Sequence, residues 1–375
     1  METPGPKIPD WISARAWGDV APDHDVRPFS ALLRGRSDTN RNNKRHHFVS
    51  VTYMNGFCDE GYLWAYRSEA PGDPNHVKPT GTGFEKYYYA YKREDGTQDN
   101  HSFEDHWNLI ETVWPETLAA LKTGRVSDAV SFNVLGMAGI MRTRVPAARD
   151  RKELLLAVKL REEAKALERL GALPRDLEPY RGRLDEVPVG INPEQSLVLM
   201  SEDQFAFGDL CFKMGFEILH NTTDVAFLTS DNPVCIYDPG EPFERRVPYD
   251  WDREVELLFP LDARTLLRGS NRIARRNAVS AHRKVADTQT VRRHNRTIAQ
   301  FSYRLLLSKD RSADRLASLY AATVPTVDVS VVVRDRNIQI VHRDVFGPMP
   351  KRSLFVDGPE KAARLAPEWQ LPGKD

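Results

Sequence analysis

The chain has 375 residues, of which 41% are hydrophobic and 28% charged, and this composition excludes a disordered protein because it supplies enough apolar surface for a core. Its 53 basic and 53 acidic residues cancel, so the molecule as a whole has no general attraction to polyanions. The apolar runs are too short to cross a bilayer, and residues 1–10 lack the basic and apolar regions of a secretion signal. We therefore expect a cytoplasmic protein that is not associated with membranes.

The first part of the chain predicts strands. Residues 1–43 contain several prolines and no sustained periodicity, and they are expected to form an extended N-terminal arm. Residues 47–53 and 62–66 are rich in β-branched and aromatic side chains, which favours a β-hairpin or meander. Prolines and glycines in residues 71–83 then predict a long loop.

A helical section follows, expected at about residues 100–170. Apolar residues recur every three or four positions in residues 103–121, which predicts one stripe of an amphipathic helix. Ser127 is a candidate N-cap for a second, nearly all-apolar helix at 129–141, and a third helix is predicted at 152–170.

Strands return in a section expected at about residues 196–343, with one long helix at 286–308. The predicted strands are 216–219, 225–228, 234–237, 255–259, 265–267, 327–333 and 338–341. Strands, helices and strands in this order lack the βαβ alternation of a doubly wound sheet, so the predicted class is α+β, with a mixed or antiparallel C-terminal sheet. We expect a single domain over residues 44–345 and a proline-rich tail over 346–375.

Three widely spaced cysteines fit neither a disulfide framework nor a C-x-x-C motif, so Cys58, Cys211 and Cys235 are predicted to be free thiols. The chain has no G-x-G-x-x-G and no G-x-x-x-x-G-K-[ST] motif, so no nucleotide-binding loop is indicated. The pair of tripeptides Ser-Asp-Asn and Lys-Thr-Gly is not taken as a β-lactamase signature, because S-x-x-K is missing and the order is wrong.

Basic residues are concentrated between positions 264 and 304, a segment that contains eleven arginines and lysines and only one acidic residue, Asp287. Such a segment can hold the phosphates of a nucleic acid. The alternative is a solvated surface paired with the acidic remainder of the protein. The basic residues are Arg264, Arg268, Arg272, Arg275, Arg276, Arg283, Lys284, Arg292, Arg293, Arg296 and Arg304.

Several polar residues are candidates for chemistry. His46 and His47 stand at the entrance of the first predicted strand, and imidazole suits a metal or an acid-base role. Glu111 lies at the edge of the apolar stripe of the first helix. Asp231 and Asn232 lie in a connection between two strands, where they either brace the turn or meet a ligand.

Asn295 shares a stripe with apolar residues on the last long helix. A buried carboxamide needs hydrogen-bond partners, so this side chain either ties the helix to a backbone edge or binds a ligand. Arg292 and Arg293 stand beside it as candidate substrate-binding cations.

Taken in order, several stretches of the chain resemble the bacterial domain of unknown function 4238 family. The matching stretches are RNNKRHHFVSVTYMNGFCDEGYLWAYR, EKYYY, SFEDHWNLIETVWPETLAALKTG, VSDAVSFNVLGMAGIMRTRVPAARD, FEILHNTTDVAFLTSDNPV, LLFPLDARTLLRGS and VRRHNRTIAQFSYRLLLS. The resemblance runs from about residue 41 to 308, and its best signature is FLTSDNPV followed by FPL. It implies no catalytic assignment, but it implies that the polar residues within its motifs converge on a site. These residues are His46, His47, Glu104, Glu111, Arg142, Asp231, Asn232 and Asn295.

Three functional hypotheses follow. The first is a hydrolase acting on a phosphodiester or nucleotide, with a metal-assisted nuclease of bacterial defence as one form of it. Asp231 and Glu111 would serve as metal ligands or base, and His46 or His47 as ligand or acid, with His47, Glu111 and Asp231 as the set that holds a divalent metal. Arg142 would hold the anion. The second is a non-enzymatic protein that binds nucleic acid or an acidic partner through residues 264–304. The third is an enzyme of small-molecule metabolism, with a phosphorylated small molecule among its expected ligands.

Overall fold

The computed structural model describes residues 44–92, 98–99, 102–187, 189–191, 193–242, 253–274, 281–285, 287–334, 337–350 and 355–357. The predicted arm at 1–43 and most of the predicted tail lie outside the described residues.

Helices and mainly antiparallel sheets make up the described chain, which confirms the predicted α+β class. An N-terminal antiparallel pair is present, formed by β1 (Arg45–His47) and β4 (Phe84–Lys86). The prediction of a strand at 47–53 is wrong, because Val51–Met54 forms a short helix, α1. The Ser50 side chain accepts a hydrogen bond from the backbone N–H of Tyr53, and this N-cap outweighs the strand propensity of the segment.

A four-stranded sheet has the order β3-β2-β14-β9. Its strands are β2 (Leu63–Arg67), β3 (Ala70–Val77), β9 (Thr229–Ser230) and β14 (Leu305–Ser308). The start of the loop predicted at 71–83 is thus a strand, and its prolines are tolerated because β3 lies at the sheet edge. The helix predicted at 286–308 ends earlier, and its last residues belong to β14.

The helical section follows as predicted. It contains α2 (Ser102–Lys122), α3 (Asp128–Thr143) and α4 (Pro146–Arg169). Ser127 caps α3 by accepting a hydrogen bond from the N–H of Val130. A further helix, α5 (Pro193–Phe212), was not predicted and contacts both α3 and α4. None of the helices in the described part of the chain combines the length and apolar character that crossing a membrane requires.

The larger sheet has the order β10-β11-β12-β8-β13, and only β13 runs parallel to its neighbour. Its strands are β8 (Gly215–Asn221), β10 (Cys235–Tyr237), β11 (Glu256–Asp262), β12 (Thr265–Ser270) and β13 (Ala281–Val285). The strand predicted at 225–228 is not formed, since that segment carries no strand pairing.

Both faces of the larger sheet are covered. Leu257 and Phe259 of β11 belong to the same buried cluster as the helical section, whereas Leu258 belongs to a second cluster with Val291 and Ile298 of α6 (Thr288–Phe301). Neighbouring residues of a strand point to opposite faces, so the sheet is a central layer between α6 and the helical section. This burial explains the almost continuous apolar character of β11.

The remaining elements lie around this core. They are β5 (Tyr91–Lys92), β6 (Gln98–Asp99), β7 (Val189–Ile191), α7 (Asp314–Tyr320), β15 (Val324–Arg334), β16 (Asn337–Gly347) and β17 (Phe355–Asp357). β15 and β16 form an antiparallel hairpin whose base contacts α4 and α6. β17 pairs in parallel with β7, so part of the predicted tail adds to a sheet.

Candidate functional site

A cavity of about 170 Å³ lies where the end of α3, the start of α4, α5 and the base of the β15–β16 hairpin meet. Its lining residues are Arg142, Thr143, Ala147, Ala148, Arg151, Asp203, Ala206, Phe207, Leu210, Asn232, Ile236, Phe301, Pro325, Thr326, Asp344, Val345 and Phe346. A concave apolar cavity with a few polar groups is the usual form of a small-molecule site.

Three phenylalanines contribute to the cavity wall. Phe207 and Phe301 are buried, and the ring of Phe301 meets that of Phe346 edge to face with centroids 5.0 Å apart. Leu210 and Ile236 add aliphatic surface. The wall therefore offers an environment for a ring or a branched apolar group.

Arg142 provides an unpaired positive charge in this wall. It lies in the last turn of α3 and is half-buried. Within the described residues its guanidinium has neither a hydrogen-bond nor an ion-pair partner. A guanidinium remains charged throughout the physiological pH range and matches carboxylate and phosphate groups in geometry. An anion in the cavity would supply the missing partner.

The other charged groups of the lining are paired. Arg151 of α4 and Asp344 of β16 form an ion pair with 2.5 Å between Nε and Oδ1. Asp203 of α5 lies 2.7 Å from the Nζ of Lys152. Arg142 is therefore the lining cation, among the residues the structure describes, whose charge no carboxylate neutralises.

Asn232 contributes an unpaired acceptor. Its side chain is fully buried, and its Nδ2 donates a hydrogen bond of 2.9 Å to the carbonyl of Phe301. That contact identifies which end of the carboxamide is the nitrogen, because a carbonyl cannot receive a bond from another oxygen acceptor. The Oδ1 atom is buried and has no hydrogen-bond partner among the residues that the structure describes. Buried polar atoms without partners are uncommon and often belong to binding sites.

The predicted residues His46, His47, Glu111 and Asp231 do not line this cavity. The expectation that all the candidate residues share one site is therefore not met here, and only Arg142 and Asn232 meet in it.

His46 has a structural position. Its side chain is fully buried, its Nδ1 accepts a hydrogen bond of 2.8 Å from the N–H of Tyr89, and its ring stacks on the Tyr89 ring. These contacts hold the first strand against the following segment.

Glu111 is bound to Arg144, and the two atoms of this ion pair, Oε1 and Nη1, are 2.7 Å apart. Arg144 is almost fully buried, and its Nε donates to the carbonyl of Phe48 at 3.2 Å. Burial lowers the pKa of His47, and the nearby positive charge of Arg144 adds to this effect. In the described part of the chain, the buried Nε2 of His47 has no hydrogen-bond partner. His47 and Glu111 thus lie near one another, with Arg144 rather than Arg142 as the neighbouring cation.

Asp231 accepts backbone hydrogen bonds. Its two carboxylate oxygens receive the N–H groups of Tyr303 at 2.9 Å and Arg304 at 2.8 Å, and the side chain is fully buried. Burial raises the pKa of this carboxyl, although the backbone hydrogen bonds oppose the shift. Within the described residues, no group of three or more His, Cys, Asp and Glu side chains is arranged to hold a metal ion. Asp231 accordingly does not form such a group with His47 and Glu111.

Asn295 joins α6 by hydrogen bonds to the backbone of a neighbouring segment. This is the structural role predicted from the sequence as the alternative to ligand binding. Its Oδ1 accepts the N–H of Leu228 at 3.0 Å, and its Nδ2 donates to the carbonyl of Ala226 at 2.8 Å. Both ends of the carboxamide are occupied. The contact explains why an asparagine stands in an otherwise apolar stripe.

The basic segment does not form one exposed face. Arg292 and Arg293 are exposed on α6, but Arg268 binds Glu217 and Glu256 at 2.9 and 2.6 Å. Arg304 is paired with Asp150 at 3.1 Å and with Glu85 at 3.4 Å. The acidic remainder of the protein therefore neutralises part of this segment, and Arg275 and Arg276 lie outside the described residues.

The three cysteines are free thiols, as predicted. Cys211 and Cys235 are buried, and partial burial raises the pKa of Cys58 to about 11. Such thiols are poor nucleophiles at neutral pH.

Comparison with known proteins gives one match. A family model described as "Protein of unknown function (DUF4238)" matches residues 45–312. No curated protein and no solved structure matches the chain significantly.

Proposed function

The chain belongs to this family, and we propose that it binds a small anionic molecule in the cavity lined by Arg142 and Asn232. The observation that carries the proposal is the guanidinium of Arg142, which lies in the wall of a cavity with mixed polar and apolar lining and has no ion-pair partner among the described residues. Leaving a charge half-buried without a partner costs stability, and an anionic ligand would offset that cost.

A small molecule is favoured over a nucleic acid strand. Among the basic residues considered from the sequence, Arg268 and Arg304 are bound to carboxylates, which reduces the number of phosphates that this surface can neutralise. The cavity is a partly open pocket of about 170 Å³, which has room for a small molecule rather than for a strand of several nucleotides. A phosphorylated small molecule, expected from the sequence, and a carboxylate both satisfy the charge of Arg142.

Binding rather than catalysis is the primary proposal. General acid-base chemistry needs an available proton donor or acceptor close to the ligand. The two carboxylates of the lining, Asp203 and Asp344, are held in ion pairs. Should the protein hydrolyse a phosphate ester, Arg142 would hold the anion in the same cavity.

Isothermal titration calorimetry with the full-length protein tests the proposal, using inorganic phosphate, phenyl phosphate and benzoate as probes. We expect saturable binding of at least one probe, and we expect Arg142→Gln to weaken it about tenfold or more, because a charge-assisted hydrogen bond is lost. Arg292→Gln is the matched control, since it removes an exposed arginine that does not line the cavity.

Binding should also weaken as the salt concentration rises, because the interaction is between opposite charges. Thermal unfolding of each variant establishes that it is folded. Equal affinity of the wild type and Arg142→Gln, or no binding of any of the three probes, would refute the proposal.

A further inference from the structure

The polar and aromatic groups of the cavity together restrict the chemistry of its ligand. We infer that the ligand is a small aromatic acid that also carries a hydroxyl or amino group, an inference that rests on the proposed function. The anion pairs with Arg142, the ring lies among Phe207, Phe301 and Phe346, and the hydroxyl or amino group donates to Oδ1 of Asn232.

The size of the cavity supports a single ring. An apolar protein cavity of about 150 Å³ is known to accommodate benzene. The present cavity measures about 170 Å³ and is partly open to solvent, so one ring with small substituents fits within it, whereas a nucleoside phosphate would extend beyond it. Three phenylalanines in the lining offer ring edges and faces to such a ligand.

Asn232 requires a donor from the ligand. Its Nδ2 is already used by the Phe301 carbonyl, so the carboxamide cannot rotate to present a nitrogen without breaking that bond. The free atom is therefore an acceptor, and the side chain is fully buried. A site that contains a buried acceptor discriminates against analogues that lack the matching donor, because the acceptor then stays unpaired.

A ligand that places a hydrogen-bond acceptor opposite Oδ1 of Asn232 should bind more weakly than one that places a donor there. A ligand methoxy group presents an oxygen without a hydrogen, so it would face Oδ1 of Asn232 without forming a bond. The site therefore predicts different affinities for hydroxyl and methoxy substituents on the same ring position.

The main comparison uses wild-type protein and matched ligands, so its outcome does not depend on a substitution that could disturb folding. Calorimetric affinities are measured for acetate, benzoate, the three hydroxybenzoates, the three aminobenzoates and the corresponding methoxybenzoates. Phenyl phosphate and the hydroxyphenyl phosphates form a second arm, which distinguishes a carboxylate from a phosphate as the anion.

We expect benzoate or phenyl phosphate to bind more tightly than acetate or inorganic phosphate by at least tenfold. One hydroxyl or amino isomer should bind a further tenfold or more tightly than its unsubstituted parent, and the methoxy isomer at that position should lose the gain. Phe346→Leu should reduce the preference for aromatic over aliphatic acids, and thermal unfolding establishes that this variant is folded.

Different results would refute the anion-binding proposal and the aromatic-donor ligand class. Acetate and benzoate binding equally, or hydroxyl and methoxy isomers binding equally, would overturn the aromatic-donor ligand class and leave the anion-binding proposal standing. Absence of binding by every acid, or binding that is unaffected by Arg142→Gln, would overturn both.

Discussion

Asp231 was a candidate metal ligand or base in the hydrolase hypothesis, and its contacts lead to a different expectation. The carboxylate is fully buried and accepts the N–H groups of Tyr303 and Arg304, while its own N–H donates to the carbonyl of Leu305 at 3.0 Å. These bonds join the Ser-Asp-Asn-Pro connection to the segment between α6 and β14. We predict that Asp231→Ala destabilises the fold.

The magnitude follows from the two donors that lose their acceptor. Leaving a buried donor unsatisfied costs about 1–3 kcal/mol, so two donors imply a loss of about 2–6 kcal/mol in the free energy of unfolding. Domains are stable by about 5–15 kcal/mol, so the loss would be a large fraction of the total. Asp231→Asn keeps one carbonyl oxygen and presents an N–H₂ to the second donor, and an intermediate loss is expected.

Urea unfolding followed by tryptophan fluorescence measures these differences. Asp209→Ala is a suitable control, because Asp209 is exposed on α5 and exposed substitutions usually change stability by less than about 0.5 kcal/mol. Should Asp231→Ala unfold at the same urea concentration as the wild type, the hydrogen-bond argument would be refuted. Should it also abolish a phosphodiesterase activity while remaining folded, the hydrolase hypothesis would regain Asp231 as a catalytic residue.

Two further predictions concern buried charges. Arg144→Met should lower the free energy of unfolding by about 3 kcal/mol, since it leaves the carboxylate of Glu111 without its partner, and the double variant with Glu111→Gln should recover part of the loss in the same urea measurement. Burial lowers the pKa of His294 to about 4, so the wild type should be most stable above pH 6.5 and should lose about 3 kcal/mol as the pH falls to 4. His294→Gln should remove this part of the pH dependence, and parallel unfolding curves at each pH for wild type and variant would contradict the assignment.

Local patterns in the sequence predicted the elements whose stability is local. The apolar stripe of α2 and the Ser127 cap of α3 both lie within one continuous segment, and both predictions are confirmed. The strand at β14 was taken for the end of a helix, because its partners are distant in sequence. Leu306 pairs with Tyr66 and with Ser230. The residues around position 306 contain no pattern from which these distant pairings could be predicted.

The candidate site was predictable only in part. Arg142 and Asn232 were both singled out, but their common cavity is assembled from six separate segments of the chain. Arg142 and Arg144 are two residues apart and therefore point about 200° apart around the helix axis. Which of them meets Glu111 depends on how α2 packs on α3, and the packing selects Arg144.

The sequence by itself determined the α+β class, the helical section, the free thiols and the family, because composition, periodicity and motifs are properties of single segments. The tertiary structure alone decided which polar side chains remain available. Asp231 and Asn295 are occupied by backbone groups, whereas Arg142 and the Oδ1 of Asn232 have no hydrogen-bond or ion-pair partner in the described part of the chain. The physical reason is that a buried polar group must find its hydrogen-bond partners in space, and those partners come from segments far apart in the chain.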